Sequence, residues 1–154
     1  MLKLNLPDFD YLIKKDEKKL FIYDIIRKKY VRLNPEEWVR QHFVNYLINY
    51  LQVPATLIRL EGGLKYYELL KRSDILVFSN KGTPLLLVEC KSGSQPINNN
   101  VLFQIGIYNS KIKAPFLAST NGITHYYWKV EKDREYKLLD NLPNYREMIE
   151  LSEN

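Results

Sequence analysis

A chain of 154 residues with 45% hydrophobic and 27% charged side chains has the size and composition of one ordinary globular domain with its own core. The formal charge of +5 permits an acidic partner without requiring one, and the single cysteine, Cys90, excludes an internal disulfide and fits a reducing compartment. With two histidines, His42 and His125, there is no Cys/His zinc cluster, and no apolar run approaches the roughly 18 residues that cross a membrane.

The N-terminus lacks an apolar core segment and a small-residue cleavage site, so no signal peptide is expected. The expected location is the cytoplasm, with no membrane contact. Residues 1–33 read as an arm. Lys14 to Lys19 form a polar turn, Leu20 to Asp24 a strand, and Arg27-Lys28-Lys29 a basic stretch running into a second strand ending at Leu33.

A helix opens at Asn34. Asn is a favoured N-cap, Pro35 fits the first helical position, Glu37 stands three past the cap as a capping-box acid, and Pro54 stops the run. Val39, Phe43 and Leu47 mark its apolar face. Projection at 100° per residue puts Glu36 on that face, with Arg40 four residues on, and leaves Glu37 at one edge. A carboxylate at the top of a buried face needs a cation, either a metal or Arg40 as an i,i+4 partner.

Thr56 to Glu61 read as a strand and Gly62-Gly63 as a turn, while 64–70 fit a strand or a helical turn equally well. Ser73 to Phe78 and Leu85 to Lys91 are apolar runs of strand length separated by a turn cluster with Gly82 and Pro84. A hairpin of these runs brings Asp74 opposite the Glu89 end. Glu89 and Lys91, two apart on one strand, project to the same face, and Cys90 points the other way into the core. Two carboxylates and an ammonium at one sheet edge suit Mg²⁺, whose oxygen ligands Asp74 and Glu89 would be, with Lys91 orienting water or offsetting phosphate charge. Each residue alone is also an ordinary solvated strand end or surface ion pair.

A second helix is expected from about Ile97 to Lys111, with Gln104 and Tyr108 stacked on one inward side. Phe116 to Ser119 form a strand, Thr120-Asn121-Gly122 a turn, and Thr124 to Val130 an aromatic strand that begins around a structural His125. Pro143 to Leu151 give a terminal helix. The order helix, three strands, helix, two strands, helix implies an α/β fold with a mixed sheet flanked by helices. The chain divides into the arm (1–33), a core (34–130) and a C-terminal helical extension (131–154) of a single domain.

The segments Leu33-Asn34-Pro35-Glu36-Glu37-Trp38-Val39-Arg40-Gln41, Lys71-Arg72-Ser73-Asp74-Ile75, Val88-Glu89-Cys90-Lys91, Gln104-Ile105-Gly106-Ile107-Tyr108 and Thr120-Asn121-Gly122 occur in that order. Together they resemble the PD-(D/E)xK nuclease superfamily, and within it the N-terminal nuclease domain of type I restriction enzyme R subunits in a small stand-alone version. The resemblance covers roughly residues 20–130. It implies a restriction-endonuclease-like αβββαβ core and Mg²⁺-dependent DNA cleavage, with Mn²⁺ able to substitute. It also implies metal ligation by Asp74 and Glu89, a catalytic Lys91, and a helix-one acid at Glu36 assisting the metal site. Gln104 and Tyr108 match a Gln-x-x-x-Tyr motif that helps hold the DNA strand. Lys71, Arg72, Arg27, Lys28 and Lys29 are expected on phosphates. The family joins this domain to an ATP-driven motor. This chain lacks a Gly-x-x-x-x-Gly-Lys-[Ser/Thr] loop, so a motor or specificity subunit is expected as a separate partner. A homodimer is also compatible, and a non-cleaving nucleic-acid-binding module is the alternative reading.

Overall fold

The computed structural model describes residues 1–60, 74–98 and 100–153, and for Asp74 the backbone only. The chain opens with a three-stranded antiparallel sheet, β1 (Ile13–Asp16), β2 (Lys19–Asp24) and β3 (Lys29–Arg32). The arm therefore has one strand more than expected. β1 is exposed throughout and pairs only with β2, so it carries no buried apolar pattern for the sequence to reveal.

Helix α1 (Pro35–Asn49) starts where the cap residue predicts, and Asn34 accepts a hydrogen bond from the Glu37 N–H at 2.7 Å. A single turn of 3₁₀ helix leads into β4 (Ile58–Leu60). Then follow β5 (Asp74–Phe78), β6 (Pro84–Cys90), α2 (Asn100–Ile112), β7 (Phe116–Thr120), β8 (His125–Val130), β9 (Tyr136–Leu139) and α3 (Tyr145–Ser152). The main sheet has the order β4-β5-β6-β7-β8-β9. β6 and β7 are parallel and joined by the α2 crossover, and every other described pair is antiparallel. This is the expected αβββαβ order in an α/β fold with a mixed sheet. β9 is an addition, because the C-terminal segment was expected to be helical only. Its mostly exposed Tyr-Lys-Leu-Leu run forms the sheet edge.

Period-two alternation sorts the sheet into two faces. Ile75, Val77, Leu86, Val88, Phe116 and Ala118 join Val39, Phe43 and Leu47 of α1 in one buried cluster, which also takes Met148 of α3 and Cys90. Leu76, Leu87, Leu117 and Trp128 join Val101 and Ile105 of α2 in the other. Cys90 thus points into the core, as expected. α3 is fixed by a full capping box between Asn144 and Glu147 and by the Tyr145 hydroxyl, which donates to the Phe78 carbonyl at 3.1 Å.

The arm is tied to α1 by a buried polar network, which reverses the expected burial of the two helix-one acids. Glu37 is 5% exposed, and Glu36 is only half-buried. The Glu37 carboxylate does not close a capping box. It takes Arg27 Nη2 at 3.1 Å, Arg40 Nε at 3.2 Å and the Gln41 amide at 3.0 Å. Arg40 therefore pairs with Glu37, and the i,i+4 pair with Glu36 does not form. Asp24, fully buried at the end of β2, binds Arg27 Nε at 2.6 Å and Gln41 at 3.0 Å, and accepts the N–H groups of Ile26 and Arg27 in the turn. Burial opposes the Arg27 charge, but Asp24 and Glu37 outweigh it and hold the guanidinium pKa above its ordinary value. α1 is thus covered on two sides, by the sheet and by the arm.

Breaking a buried ion pair by removing one partner costs about 3–5 kcal/mol, because the remaining charge is stranded. Urea unfolding of Glu37→Ala should show a loss in that range. A loss under about 1 kcal/mol, the scale of an exposed pair, would contradict the network.

Candidate active site

The β5–β6 hairpin sets Asp74 opposite Glu89 in register. Its turn is built by Ser79, whose N–H donates to the Thr83 carbonyl at 2.7 Å and whose hydroxyl bonds Thr83 Oγ1 at 2.8 Å. Gly82 takes the left-handed φ of +80° that a side chain would resist. Glu89 lies two residues past Leu87 and so falls on the sheet face that α2 covers. Glu89 is 2% exposed. One oxygen, Oε1, meets Lys91 Nζ at 2.9 Å, and the other, Oε2, has no hydrogen-bond partner among the described residues.

Lys91 is held beyond the end of β6 by its own backbone N–H, which donates to the Thr120 carbonyl at 2.8 Å. The loop that follows is fastened by Asn121, whose amide donates to the Gln95 carbonyl at 2.8 Å while its Oδ1 accepts the N–H groups of Ile123 and Thr124. Gly122 has φ +86°, and a β-carbon there would strike Leu4 and Val39. The Thr-Asn-Gly signal is therefore a turn that packs the N-terminal segment and α1 against the end of β7. Pro35, Trp38, Gly93 and Ser94 line one small concavity with Leu2 and Leu4, so the start of α1 lies beside the loop after Lys91.

The sequence-predicted residues divide into three groups. Asp74 and Glu89 are registered neighbours on β5 and β6, and Lys91 follows just beyond the end of β6, paired with Glu89. Glu36, in the first turn of α1, makes no hydrogen bond or ion pair among the described residues. Among those residues no three His, Cys, Asp or Glu side chains converge. Gln104 and Tyr108 lie on α2, which covers the face carrying Glu89. Tyr108 is half-buried against the α2 cluster, but Gln104 is exposed, so its amide does not need the inward partner expected for it. Of the basic residues, Arg27 is a correction, because its guanidinium is spent on Asp24 and Glu37. Lys28 and Lys29 are exposed at the β2–β3 turn. Lys71, Arg72, the Gly62-Gly63 turn and residues 64–70 lie outside the described residues. Sequence reasoning missed Ser119, a fully buried β7 residue in register with Glu89. The pairing of β6 with β7 crosses α2, so no local spacing shows it.

An αβββαβ core with an acid pair in register at the edge of its central hairpin is the core of a restriction-endonuclease-like protein. The chain belongs to the type I restriction enzyme R protein N terminus family, whose model matches residues 35–143. Comparison with curated proteins and with solved structures gives no match. Membership points to a nuclease-related function and implies contact with DNA. No helix among the described residues is long and apolar enough to cross a membrane.

The histidines are structural. His42 is buried, donates Nδ1–H to the Trp38 carbonyl at 2.8 Å and packs edge-on against Phe9 and Trp38. His125 Nε2 donates to the Asn5 carbonyl at 2.9 Å while Nδ1 meets the Thr120 hydroxyl at 2.7 Å. Burial, only partly offset by these carbonyls, holds both imidazole pKa values below the ordinary value. The unfolded chain therefore binds these protons first. Their contribution to stability is present above the ordinary histidine pKa, about 6.5, and is lost as pH falls from there towards the folded values. Thermal unfolding should show Tm falling from pH 7.5 to 5.5, with a shallower slope in His42→Gln. An unchanged slope in that variant would contradict the assignment.

Proposed function

We propose that the chain is a divalent-cation-dependent nuclease that hydrolyses phosphodiester bonds of DNA, in the service of a restriction or repair system. The observation that carries this reading is Glu89. It is a carboxylate out of water, with one oxygen on Lys91 and the other without a partner among the described residues, on the residue registered with Asp74. A buried polar atom left without a partner points to a ligand. Two carboxylates fit Mg²⁺, which keeps several waters and takes only one or two protein acids, and Mn²⁺ would substitute. Asp74 and Glu89 would hold the cation. When bound, it would supply an acidified water and offset charge on the phosphate.

The rest of the mechanism belongs to the protein's own groups. Lys91, fixed by its backbone bond to β7 and by Glu89, presents an ammonium at the mouth of the site. There it orients the attacking water and stabilises negative charge that grows on the phosphate in the transition state. Glu36 is the helix-one acid left uncommitted, because Glu37 is consumed by Arg27 and Arg40, and we assign the assisting role to Glu36. Gln104, exposed on α2, has its amide available to a DNA strand, with Tyr108 half-buried against the α2 cluster. Lys28, Lys29, Lys71 and Arg72 would meet phosphates and give salt-dependent, sequence-independent affinity, and Arg27 drops out of that set. A separately encoded motor or specificity subunit would supply translocation or site choice.

Lys91→Ala separates chemistry from binding. Incubated with supercoiled plasmid and Mg²⁺, the wild-type chain should nick the DNA, and EDTA should stop it. Lys91→Ala should keep DNA affinity within severalfold and lose most of the nicking. Normal nicking by that variant would remove Lys91 from the chemistry.

A further inference from the structure

Two buried side-chain oxygens have no hydrogen-bond partner among the described residues, Glu89 Oε2 and Ser119 Oγ. They belong to registered neighbours on the parallel strands β6 and β7, and the next registered neighbour of Glu89 on its other side is Asp74. Adjacent strands lie roughly 4.8 Å apart, and registered residues share a face. Ser119 follows Leu117 by two residues, which puts it on the α2-covered face with Glu89. Asp74, Glu89 and Ser119 thus form one row of oxygen-bearing residues across three strands. A serine with zero exposure normally bonds a nearby carbonyl or side chain. An alanine would fill the same space without stranding a hydroxyl. A cation between the two residues would engage the carboxylate oxygen and a lone pair of the hydroxyl together.

We propose that Ser119 supplies a third protein oxygen, beside Asp74 and Glu89, to the divalent-cation site. The inference rests on the metal-dependent reading above and extends it to a residue on a third strand. A neutral hydroxyl is a hard oxygen donor suited to Mg²⁺ and Mn²⁺. It adds no charge to a site that already holds two carboxylates against one Lys91.

The test is Mn²⁺ titration calorimetry on the whole chain as wild type, Asp74→Ala, Ser119→Ala and Ser119→Cys. Wild type should bind and Asp74→Ala should not. Ser119→Ala should bind at least threefold more weakly, and up to the 10- to 100-fold losses typical of groups that support a metal site. Its metal-free Tm should match or exceed that of wild type, because the unbonded hydroxyl is gone. Ser119→Cys should shift preference from Mn²⁺ towards Cd²⁺, since thiolates favour softer cations. Ser119→Ala affinity within threefold of wild type, or no Cd²⁺ gain in Ser119→Cys, would overturn the role of Ser119 while leaving the Asp74–Glu89 site standing. Absence of Mn²⁺ binding by wild type would overturn that site and this proposal with it.

Discussion

Taking a carboxylate out of water costs several kcal/mol unless charge and hydrogen bonds replace the solvent. Glu89 sits at the end of β6 under that constraint. Lys91 answers half of it, and the remaining oxygen has no partner among the described residues, on a residue registered between Asp74 and Ser119. The surrounding architecture serves this position. The Ser79–Thr83 turn fixes the hairpin register, the α2 crossover brings β7 alongside in parallel, and the Asn121 turn fastens the loop that follows Lys91.

The molecule contains a second group of buried charges, and the contrast is instructive. Around Glu37 the negative groups Asp24 and Glu37 meet the positive groups Arg27 and Arg40, with Gln41 bridging the two acids. Both carboxylates are fully engaged by described residues. Such a network holds the β1–β3 arm to α1. Around Glu89 one carboxylate oxygen stays unbonded among the described residues. Buried charge that is closed on itself is structural, and buried charge that is left open is where a ligand belongs. This distinction separates Glu37 from the site more securely than helical phase does.

The hairpin, its register and the αβββαβ order were legible because apolar runs of strand length, turn residues and an Asn-Pro cap are local signals. The phase of α1 was misread for a physical reason. Projection assumes one buried face, marked here by Val39, Phe43 and Leu47, whereas the arm buries a second side carrying Glu37, Arg40 and Gln41. Arg27 looked like a phosphate contact because its partner Glu37 is ten residues away in sequence. Gln104 was expected inward, but α2 turns Phe103, Gln104 and Ile107 to the outside and buries Val101, Ile105 and Asn109. Strands β1 and β9 are exposed edges without a core stripe. Ser119 acquires its neighbour only through pairing across a crossover, which spacing along the chain does not encode.

The open carboxylate is the centre of the account, and thermal unfolding of wild type and Glu89→Gln with and without Mg²⁺ tests it most directly. A cation that binds only the folded chain raises Tm by an amount that grows with the logarithm of one plus its concentration over Kd. Wild type should show a Tm rise that grows with Mg²⁺ concentration, whereas Glu89→Gln should show none and should match or exceed wild type without metal. An equal Mg²⁺-dependent rise in both proteins would contradict the account.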